Sequence, residues 1–384
     1  MKKIKVGLLI DEFFGGAGTG FGGYGFLARY FIAKCLPNAE IQVDVLLGKG
    51  KKAFSVTQFH EDNVNLYGLP RKKWFAKRWL KKQKYDVYLS VELTNDWVLK
   101  NETNPDTKLI LWIQDPRPQY EWDEIKTMTL MPEPCYYNQR IYDLVHQWYQ
   151  KNRIKFITQA KCLNQKAIDL YNLDEDVPIT YVPNPIEMDA DFDVKTYKKH
   201  DKIIFLGRLE DVKRGWLFCE IAKKLPEYEF YVLGKANVSK EKGIAIFEKY
   251  KDLPNLHFEG LVVGEKKKQF LKEAKILINT SIHEALPVSF LEALSYGVCL
   301  VSNRNPDSLT EKFGVWTGDV LGDGFDKVDL YVKAVKKIME NEPLRQEIAQ
   351  KARDYVLKNH NIAKATKTLR ELIMKEGGKC LQTN

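Results

Sequence analysis

The sequence predicts an α/β protein made of two parallel β-sheets, each covered by helices. Short apolar runs rich in β-forming residues alternate with amphipathic helical stretches from end to end, as in parallel sheets with crossover helices. This alternation restarts after a polar stretch at 185–201 that has no clear periodicity. The 384 residues suffice for about two or three domains of the usual size. We therefore expect two unlike α/β halves with a linker at 185–201.

Each half is predicted from its own series of short apolar runs, which are bounded by turn residues. The first series lies at 5–10, 41–47, 85–91, 109–114, 155–159 and 179–184, and the second at 202–207, 228–234, 255–260, 276–281 and 298–303. The run at 5–10 follows basic residues, as in an export signal, but it is too short for one and ends at Asp11. Because ligands bind beyond the carboxyl ends of parallel strands, we expect a site in a cleft between the two sheets.

Composition excludes several classes of protein. Apolar residues make up 44% and charged residues 29%, a balance typical of a globular protein and not of a disordered or fibrous one. The chain has 60 Lys and Arg against 51 Asp and Glu, and this net charge of +9 favours anionic partners such as phosphates, nucleic acids or acidic lipids. Its 6 widely spaced cysteines form no Cys-x-x-Cys pair, which indicates free thiols in a reducing cytosol. No apolar run reaches the roughly 18 residues that a membrane span requires.

Two basic residues follow the strand at 202–207 and form a candidate phosphate site. Gly207 allows a tight exit from the strand, and Arg208 and Lys213 come shortly after it. An Arg guanidinium grips phosphate oxygens with a planar fork, whereas a Lys ammonium supplies a mobile point charge. A solvated basic turn is the structural alternative.

The segment 281–302 (SIHEALPVSFLEALSYGVCLVS) predicts a helix that begins at Pro287 and stops at Gly297. Its apolar residues recur at helical spacing and give it one buried stripe. The N–H groups of its first turn, near Val288 and Ser289, have no partner within the helix and form an anion site.

Two glutamates, Glu284 and Glu292, flank this helix start. A carboxylate beside an anion site would be repelled by a phosphate unless it binds something else, and the hydroxyl groups of a sugar are natural partners. Alternatively, both are ordinary capping and surface acids. The neighbouring His283 suits a loop as well as a catalytic role, and because no two histidines have metal-ligand spacing, we expect no metal site.

A glycine-rich loop follows the first strand, with seven glycines from Gly15 to Gly25. Glycine lets the backbone approach a ligand closely, which suits a phosphate or a sugar packed against the loop. The spacing only approximates the dinucleotide fingerprint Gly-x-Gly-x-x-Gly, and no acidic residue clearly closes the second strand where it would bind a ribose. A flexible lid is the alternative.

Four segments occur in the order and spacing of one known family. They are Gly207-Arg208-Leu209 with the following Lys213, YVPNPIE at 181–187, NLHFEGLV at 255–262 and ILINTSIHEALP at 276–287. Together with the pair Glu284-x7-Glu292, they resemble the signature of the retaining glycosyltransferases of family four. The resemblance covers most of 180–305, and the N-terminal half resembles the family more loosely, through a first strand and a glycine-rich loop.

The resemblance implies the GT-B architecture, in which two Rossmann-like domains face each other across a cleft. It places the acceptor-side domain at 1–187, the nucleotide-sugar-binding domain at 198–365, and a last helix at 366–384 that crosses back to the N-terminal domain. The implied reaction moves a sugar from a nucleotide-diphosphate sugar, with UDP favoured, to a saccharide, lipid-linked or protein-bound acceptor. It proceeds with retained anomeric configuration and without a metal or cofactor.

The resemblance also assigns roles to individual residues. Arg208 and Lys213 are expected to stabilise the departing diphosphate. Glu284 is expected to bind hydroxyls of the transferred sugar and Glu292 the donor ribose. The backbone positions expected at the donor are Gly22, Gly23, Gly207, Gly260, Leu286, Pro287, Val288 and Ser289.

The sequence departs from the family at two places. Many members have a histidine beside the donor sugar where this chain has Gln114 and Asp115, which become the candidates to hold a sugar hydroxyl, unless Asp115 and the proline after it form a simple turn. After Glu284, the usual Gly-Phe-Gly is replaced by Ala-Leu-Pro at 285–287, which changes the wall that faces the sugar.

Two further segments admit two interpretations each. The stretch 71–84 (RKKWFAKRWLKKQK) has eight basic residues and no acidic one, and it predicts either a helix on an anionic membrane surface or a helix docked on the sheet by its apolar face. That face is formed by Phe75, Ala76, Trp79 and Leu80. The aromatic-rich stretch 119–153 predicts a helical hairpin, and a sugar-stacking acceptor wall is the alternative.

Three other functions compete with sugar transfer. An NAD-dependent oxidoreductase would use the loop at 15–25, and a non-enzymatic membrane- or RNA-binding protein would be centred on 71–84. A glycosidase using the two glutamates would have no need of Arg208 and Lys213 in the same cleft. The sequence favours a glycosyltransferase without a nucleic acid partner, either free in the cytoplasm or peripheral on the inner face of the membrane.

Overall fold

The computed structural model of the protein describes residues 3–20, 22–48, 58–61, 64–70, 72–209, 211–235 and 241–378. The chain divides into two compact units. Unit 1 consists of Met1–Pro118, Tyr137–Pro185 and Asn361–Asn384, and unit 2 of Gln119–Tyr136 and Ile186–His360. Within the described ranges, every helix is too short or too polar to span a bilayer.

Unit 1 is built on an eight-stranded sheet that is parallel except at one edge. Its strands are β1 (Ile4–Ile10), β2 (Ile41–Leu47), β3 (Gln58–Glu61), β4 (Val64–Gly68), β5 (Val87–Val91), β6 (Lys108–Ile113), β7 (Ile154–Thr158) and β8 (Ile179–Tyr181). They lie in the order β3-β4-β2-β1-β5-β6-β7-β8, and β3 is antiparallel to β4. The six predicted strands of this half are all present, whereas β3 and β4 are not predicted.

Unit 2 is built on a six-stranded parallel sheet. Its strands are β9 (Lys202–Leu206), β10 (Glu229–Leu233), β11 (Leu256–Gly260), β12 (Ala274–Asn279), β13 (Cys299–Ser302) and β14 (Gly314–Trp316). The order β11-β10-β9-β12-β13-β14 is that of the doubly wound dinucleotide-binding fold. The five predicted strands are present, and the pattern does not predict β14, which has only 3 residues. The two sheets confirm the predicted α/β class.

Helices connect the strands of both sheets. They are α1 (Gly23–Phe26), α2 (Lys73–Gln83), α3 (Trp97–Asn101), α4 (Gln119–Ile125), α5 (Gln139–Gln150), α6 (Asn164–Tyr171), α7 (Gly215–Lys224), α8 (Glu241–Glu248), α9 (Gly264–Glu273), α10 (Val288–Ser295), α11 (Leu309–Lys312), α12 (Val328–Met339), α13 (Glu342–Asn359) and α14 (Ile362–Glu376). Helix α1 continues as a π-helical segment, Leu27–Ala33. Helices α4 and α7 to α13 lie in unit 2 and the others in unit 1.

The stretch 119–153 does not form the predicted hairpin, because its two helices belong to different units. Helix α5 lies in unit 1, whereas α4 and the residues up to Tyr136 lie in unit 2. There Asp323 Oδ1 accepts hydrogen bonds from the amides of Thr129 and Leu130 at 3.0 and 2.9 Å, and Oδ2 accepts one from the Thr129 hydroxyl at 2.6 Å. A segment from the first half of the sequence is thus fixed to the loop that follows β14 in unit 2.

The stretch 186–201 is not the free linker that its polarity predicts. Phe192 is buried, with its ring centroid 5.1 Å from that of Tyr296, and Arg353 Nη2 donates to the carbonyl of Asp189 at 2.7 Å. These contacts place 186–201 in unit 2. At the other end of the chain, the boundary falls between His360 and Asn361, and α14 shares the apolar core of unit 1 with β1.

Candidate functional site

The candidate site of unit 2 lies where the strand order reverses, between β9 and β12. These two strands are parallel neighbours, and the loops 207–213 and 280–287 leave the sheet at their carboxyl ends. Open α/β sheets bind their ligands at such a reversal. The predicted residues Arg208, Lys213 and Glu284 all lie on these two loops.

Hydrogen bonds hold the two loops against each other. The amide of Ile282 donates to the carbonyl of Val212 at 2.8 Å. The hydroxyl of Thr280 donates to the carbonyls of Lys213 and Arg214, at 2.9 and 3.0 Å. The backbone that carries Lys213 is therefore positioned directly by the end of β12.

Arg214 stabilises the same two loops from the interior of unit 2. It is fully buried, and its Nε donates to the carbonyl of Thr280 at 2.7 Å, while Nη1 donates to those of Val320 and Gly322 at 3.0 and 2.8 Å. Burial lowers the pKa of Arg214 to about 10. Sequence reasoning missed this residue, because an arginine beside Lys213 has the appearance of a second solvated cation.

Lys213 and Glu284 form a close ion pair at the end of β12. Lys213 Nζ lies 2.6 Å from Glu284 Oε1, and the Ser281 hydroxyl and the Asn279 amide donate to the same oxygen at 2.6 and 2.9 Å. The other oxygen, Oε2, accepts no hydrogen bond from the described part of the chain. The Glu284 side chain is 8% exposed and that of Lys213 24%.

Electrostatics keep Glu284 ionised. Burial alone would raise the pKa of Glu284, but the Lys213 ammonium and the hydrogen bonds from Ser281 and Asn279 outweigh it and hold the pKa below its usual value. Lys213 gives one of its three N–H donors to Glu284, which leaves two for a ligand. The pair can therefore bind a hydroxyl through the carboxylate and an anion through the ammonium.

The start of α10 adds two backbone donors to this site. The amides of Val288 and Ser289 have no acceptor among the described residues, whereas the amide of Phe290 donates to the carbonyl of Pro287 at 3.0 Å. Pro287 is the residue before the helix, not its first residue as predicted. Phe290 and Leu291 are fully buried and anchor the helix on the sheet, so the two amides have a fixed direction.

The other predicted residues of unit 2 lie around this centre. Arg208 is exposed on the loop after β9. Glu292 is half-buried on α10, and its Oε1 lies 2.6 Å from Lys267 Nζ of α9, so a ribose hydroxyl would share Glu292 with that lysine. The remaining backbone positions are Gly207 and Gly260 near the ends of β9 and β11, and the buried Leu286 on the loop before α10.

His283, next to Glu284, forms a buried pair with Glu121 that the sequence does not predict. His283 Nδ1 lies 2.5 Å from Glu121 Oε2, and both side chains are buried in unit 2. Glu121 belongs to α4, so the pair ties this helix to the loop that carries Glu284. The structure thus gives His283 a positioning role on the loop, which is one of the two interpretations that the sequence leaves open.

In unit 1, two amides of the glycine loop are bound by a carboxylate of the same unit. The amides of Gly22 and Gly25 donate to the two carboxylate oxygens of Glu12, at 3.1 and 2.9 Å. A Cβ atom on Gly22 would lie 2.1 Å from Glu12, whereas Gly23 has open space at that position. A carboxylate at the start of α1 repels a phosphate. The donor role of Gly22 and Gly23 therefore stays a prediction, and this geometry disfavours a dinucleotide on the loop.

Gln114 and Asp115 lie at the end of β6, where the family histidine is expected. The side chain of Gln114 is buried and exchanges two hydrogen bonds with Asn184, at 2.8 and 3.1 Å. Its amide group is thus used within unit 1, and the prediction that it holds a sugar hydroxyl has no support in this geometry. Asp115 is half-buried, and its Oδ2 accepts hydrogen bonds from Arg117 Nε and Nη2 at 3.1 and 2.8 Å.

A buried carboxylate, Glu92, sets this turn. Its Oε2 accepts hydrogen bonds from the backbone amides of Gln114 and Asp115, at 2.9 and 2.7 Å. Its Oε1 accepts one from the Tyr171 hydroxyl at 2.9 Å. Burial raises the pKa of Glu92, and these hydrogen bonds offset part of that rise. Glu92 also has φ of 51°, in the left-handed region that a side chain disfavours. An acid directly after a buried strand is a signal that sequence reasoning could have used.

Comparison with known proteins relates part of this chain to a glycosyltransferase family. Residues 188–355 match the family model described as Glycosyl transferases group 1. The chain is 24% identical over 256 residues to the UDP-Gal:alpha-D-GlcNAc-diphosphoundecaprenol alpha-1,3-galactosyltransferase of Escherichia coli, which covers 60% of this chain and 63% of that protein. The matched region is less than two thirds of the length of the curated relatives.

Solved structures with low sequence identity share the fold of the whole chain. Anabaena HepE, in complex with UDP and glucose, has a TM-score of 0.69 at 13% identity and covers 96% of this chain and 99% of its own. Sucrose-phosphate synthase from Thermosynechococcus elongatus has a TM-score of 0.71 at 12% identity, with 97% and 99% covered. These likenesses confirm the GT-B fold.

Proposed function

Because this chain carries a glycosyl transferases group 1 domain at 188–355 and has the GT-B fold, we propose that it transfers a sugar from a nucleotide-diphosphate sugar to a hydroxyl group of an acceptor. The observation that carries this function is the Lys213–Glu284 pair, which lies where the strand order of unit 2 reverses. At this point a positive group suited to a diphosphate adjoins an ionised carboxylate suited to sugar hydroxyls. A UDP-sugar is the favoured donor, in line with the UDP-galactose and UDP of the similar proteins.

Each group of the site has a distinct role in donor binding. The two remaining donors of Lys213, the exposed Arg208 and the first amides of α10 bind the diphosphate. Glu284 Oε2 binds a hydroxyl of the sugar, and Lys213 shields this carboxylate from the phosphate charge. Glu292 binds the ribose. Three donors on Glu284 Oε1 make this carboxylate a poor nucleophile, so we assign it to binding and not to covalent catalysis.

The chemical step follows from where charge develops. The bond between the anomeric carbon and the phosphate oxygen breaks, and its electron pair goes to the diphosphate. The acceptor oxygen bonds to the anomeric carbon on the same face, so the configuration is retained, and its proton passes to the departing phosphate. Lys213, Arg208 and the α10 amides are already in place when this negative charge grows, and we therefore expect no requirement for a divalent metal.

The acceptor is proposed to be a saccharide, and a lipid-linked one in particular. The Escherichia coli relative has a diphosphoundecaprenol acceptor in its name, which supports this class. A panel of free oligosaccharides, lipid-linked saccharides and glycopeptides, each offered with the preferred donor, distinguishes the three classes. Transfer to glycopeptides alone would exclude the lipid-linked class.

Nucleotide binding and donor turnover test the function directly. Calorimetric titration with UDP, GDP and ADP identifies the base, and release of UDP from UDP-sugars in the presence of EDTA measures turnover without a metal. We expect Lys213→Ala and Arg208→Ala to lower turnover by about 100-fold or more, as for loss of a charge-stabilising donor. The exposed Lys337 on α12 provides the matched control, since Lys337→Ala removes the same charge elsewhere in unit 2. Near-normal turnover in Lys213→Ala would contradict the assignment.

A further inference from the structure

Helix α2 carries an apolar surface that its sequence periodicity does not predict. The helix packs on unit 1 through Ala76, Trp79 and Leu80, which are buried. Phe75 is predicted to share this face, but it is 53% exposed, and Trp74 beside it is 64% exposed. Docking on unit 1 therefore accounts for one face of α2 and leaves two large aromatic side chains in solvent.

These two rings form a compact pair. The ring centroids of Trp74 and Phe75 lie 5.0 Å apart with the rings edge to face, and the Arg78 guanidinium lies 5.5 Å from the Trp74 ring. No other described tryptophan is as exposed as Trp74. Removing apolar surface from water is favourable roughly in proportion to the area buried, so these two rings favour contact with an apolar phase.

Exposed basic side chains flank the aromatic pair along the helix. The exposed basic residues of α2 and its flanks are Lys72, Lys73, Lys77, Arg78, Lys81, Lys82 and Lys84. In the described part of the chain, none of them forms an ion pair, whereas many exposed lysines elsewhere do, such as Lys224 with Asp329 and Lys351 with Glu347. The sequence from 64 to 85 has no acidic residue. This surface is therefore complementary to an extended anionic surface.

We propose that Trp74, Phe75 and these basic side chains dock the protein on an anionic lipid bilayer. The rings enter the boundary between headgroups and acyl chains, and the lysines and arginine bind the anionic headgroups. A single-stranded RNA is less well matched, because the Trp74 and Phe75 rings are nearly perpendicular, at 79°, and do not offer parallel platforms for successive bases. Binding to a bilayer does not depend on the proposed sugar transfer.

Co-sedimentation with lipid vesicles tests the apolar part of this surface. The vesicles contain phosphatidylcholine alone, or phosphatidylcholine with about one third phosphatidylglycerol. We expect binding only to the anionic vesicles, and a loss of about ten-fold or more in affinity when Trp74→Ser and Phe75→Ser are combined. Leu330→Ser with Leu357→Ser is the matched control, since both leucines are exposed on helices of unit 2. All variants change exposed residues, and a thermal melt confirms folding.

Charge reversal tests the basic part. Lys77→Glu with Arg78→Glu removes two contacts to anionic lipid, and we expect a loss of about five-fold for each charge removed. Lys333→Glu with Lys337→Glu makes the same change of charge on α12 and should bind as the native protein does. Equal binding to neutral and anionic vesicles, an equal loss in both pairs of variants, or RNA binding that needs Trp74 while vesicle binding does not, would each overturn the proposal.

Discussion

Replacing Lys213 with methionine isolates the ion pair on which the proposed site is built. The substitution keeps the length of the side chain and removes its charge, so that Glu284, 8% exposed, loses its counter-ion. Removing one partner of a fully buried ion pair costs about 3 to 5 kcal/mol. Because Lys213 is 24% exposed and solvent screens the pair, we expect about 1 to 2 kcal/mol here.

The pH dependence of this loss is the sharper readout. In the native protein the pKa of Glu284 lies below its usual value, so the carboxylate stabilises the fold above about pH 4.5, and this contribution is lost as the pH falls through the folded pKa. Without Lys213, burial becomes the dominant influence and raises the pKa of Glu284. The variant then binds a proton on folding. Its stability relative to that of the native protein should therefore rise as the pH is lowered from about 7.5 to about 5.5.

Urea unfolding at these two pH values measures the effect. A cycle of Lys213→Met, Glu284→Gln and the double variant separates the coupling of the two side chains from the cost of each substitution. We expect the double variant to lose the pH dependence that Lys213→Met acquires. A Lys213→Met protein whose stability follows that of the native protein at both pH values, or a coupling energy near zero, would refute the reasoning.

Three further outcomes follow from the contacts of unit 2. Glu292→Ala should weaken UDP binding about ten-fold in calorimetry, whereas Lys267→Ala, which removes its ion-pair partner, should change the Kd much less; unchanged affinity in Glu292→Ala excludes the ribose role. Glu121→Gln leaves the buried His283 with a neutral partner and should lower the free energy of unfolding by about 1 to 3 kcal/mol, and a variant as stable as the native protein contradicts this. Arg214→Leu leaves buried carbonyls without a donor and should cost about 2 to 4 kcal/mol in urea unfolding, with no rescue by Arg214→Lys; rescue by lysine would show that charge alone matters.

The sequence predicts those features of the fold and the site that depend on residues close together in the chain. Buried parallel strands are continuous apolar runs, so the central strands of both sheets could be recognised. Lys213, Glu284 and the start of α10 each follow a strand end by fewer than ten residues. Because strand ends in a parallel sheet meet at one edge, their proximity follows from the order of the strands.

The remainder depends on contacts between residues far apart in the chain. Glu121 meets His283 across more than 160 positions, and nothing near Glu121 in the sequence distinguishes it from a surface acid. The Glu12 carboxylate accepts hydrogen bonds from the amides of Gly22 and Gly25. The sequence pattern of the glycine loop does not reveal this contact. Strands β3 and β14 have 4 and 3 residues, pair with β4 and β13, and have no long apolar run by which the sequence could predict them.

A crystal structure of the protein with bound UDP tests the central claim most directly. The account predicts that the diphosphate lies within about 3 Å of Lys213 Nζ and of the Val288 and Ser289 amides, at the carboxyl ends of β9 and β12. UDP bound elsewhere in the chain, with Lys213 still paired only with Glu284 and the α10 amides facing solvent, would contradict it.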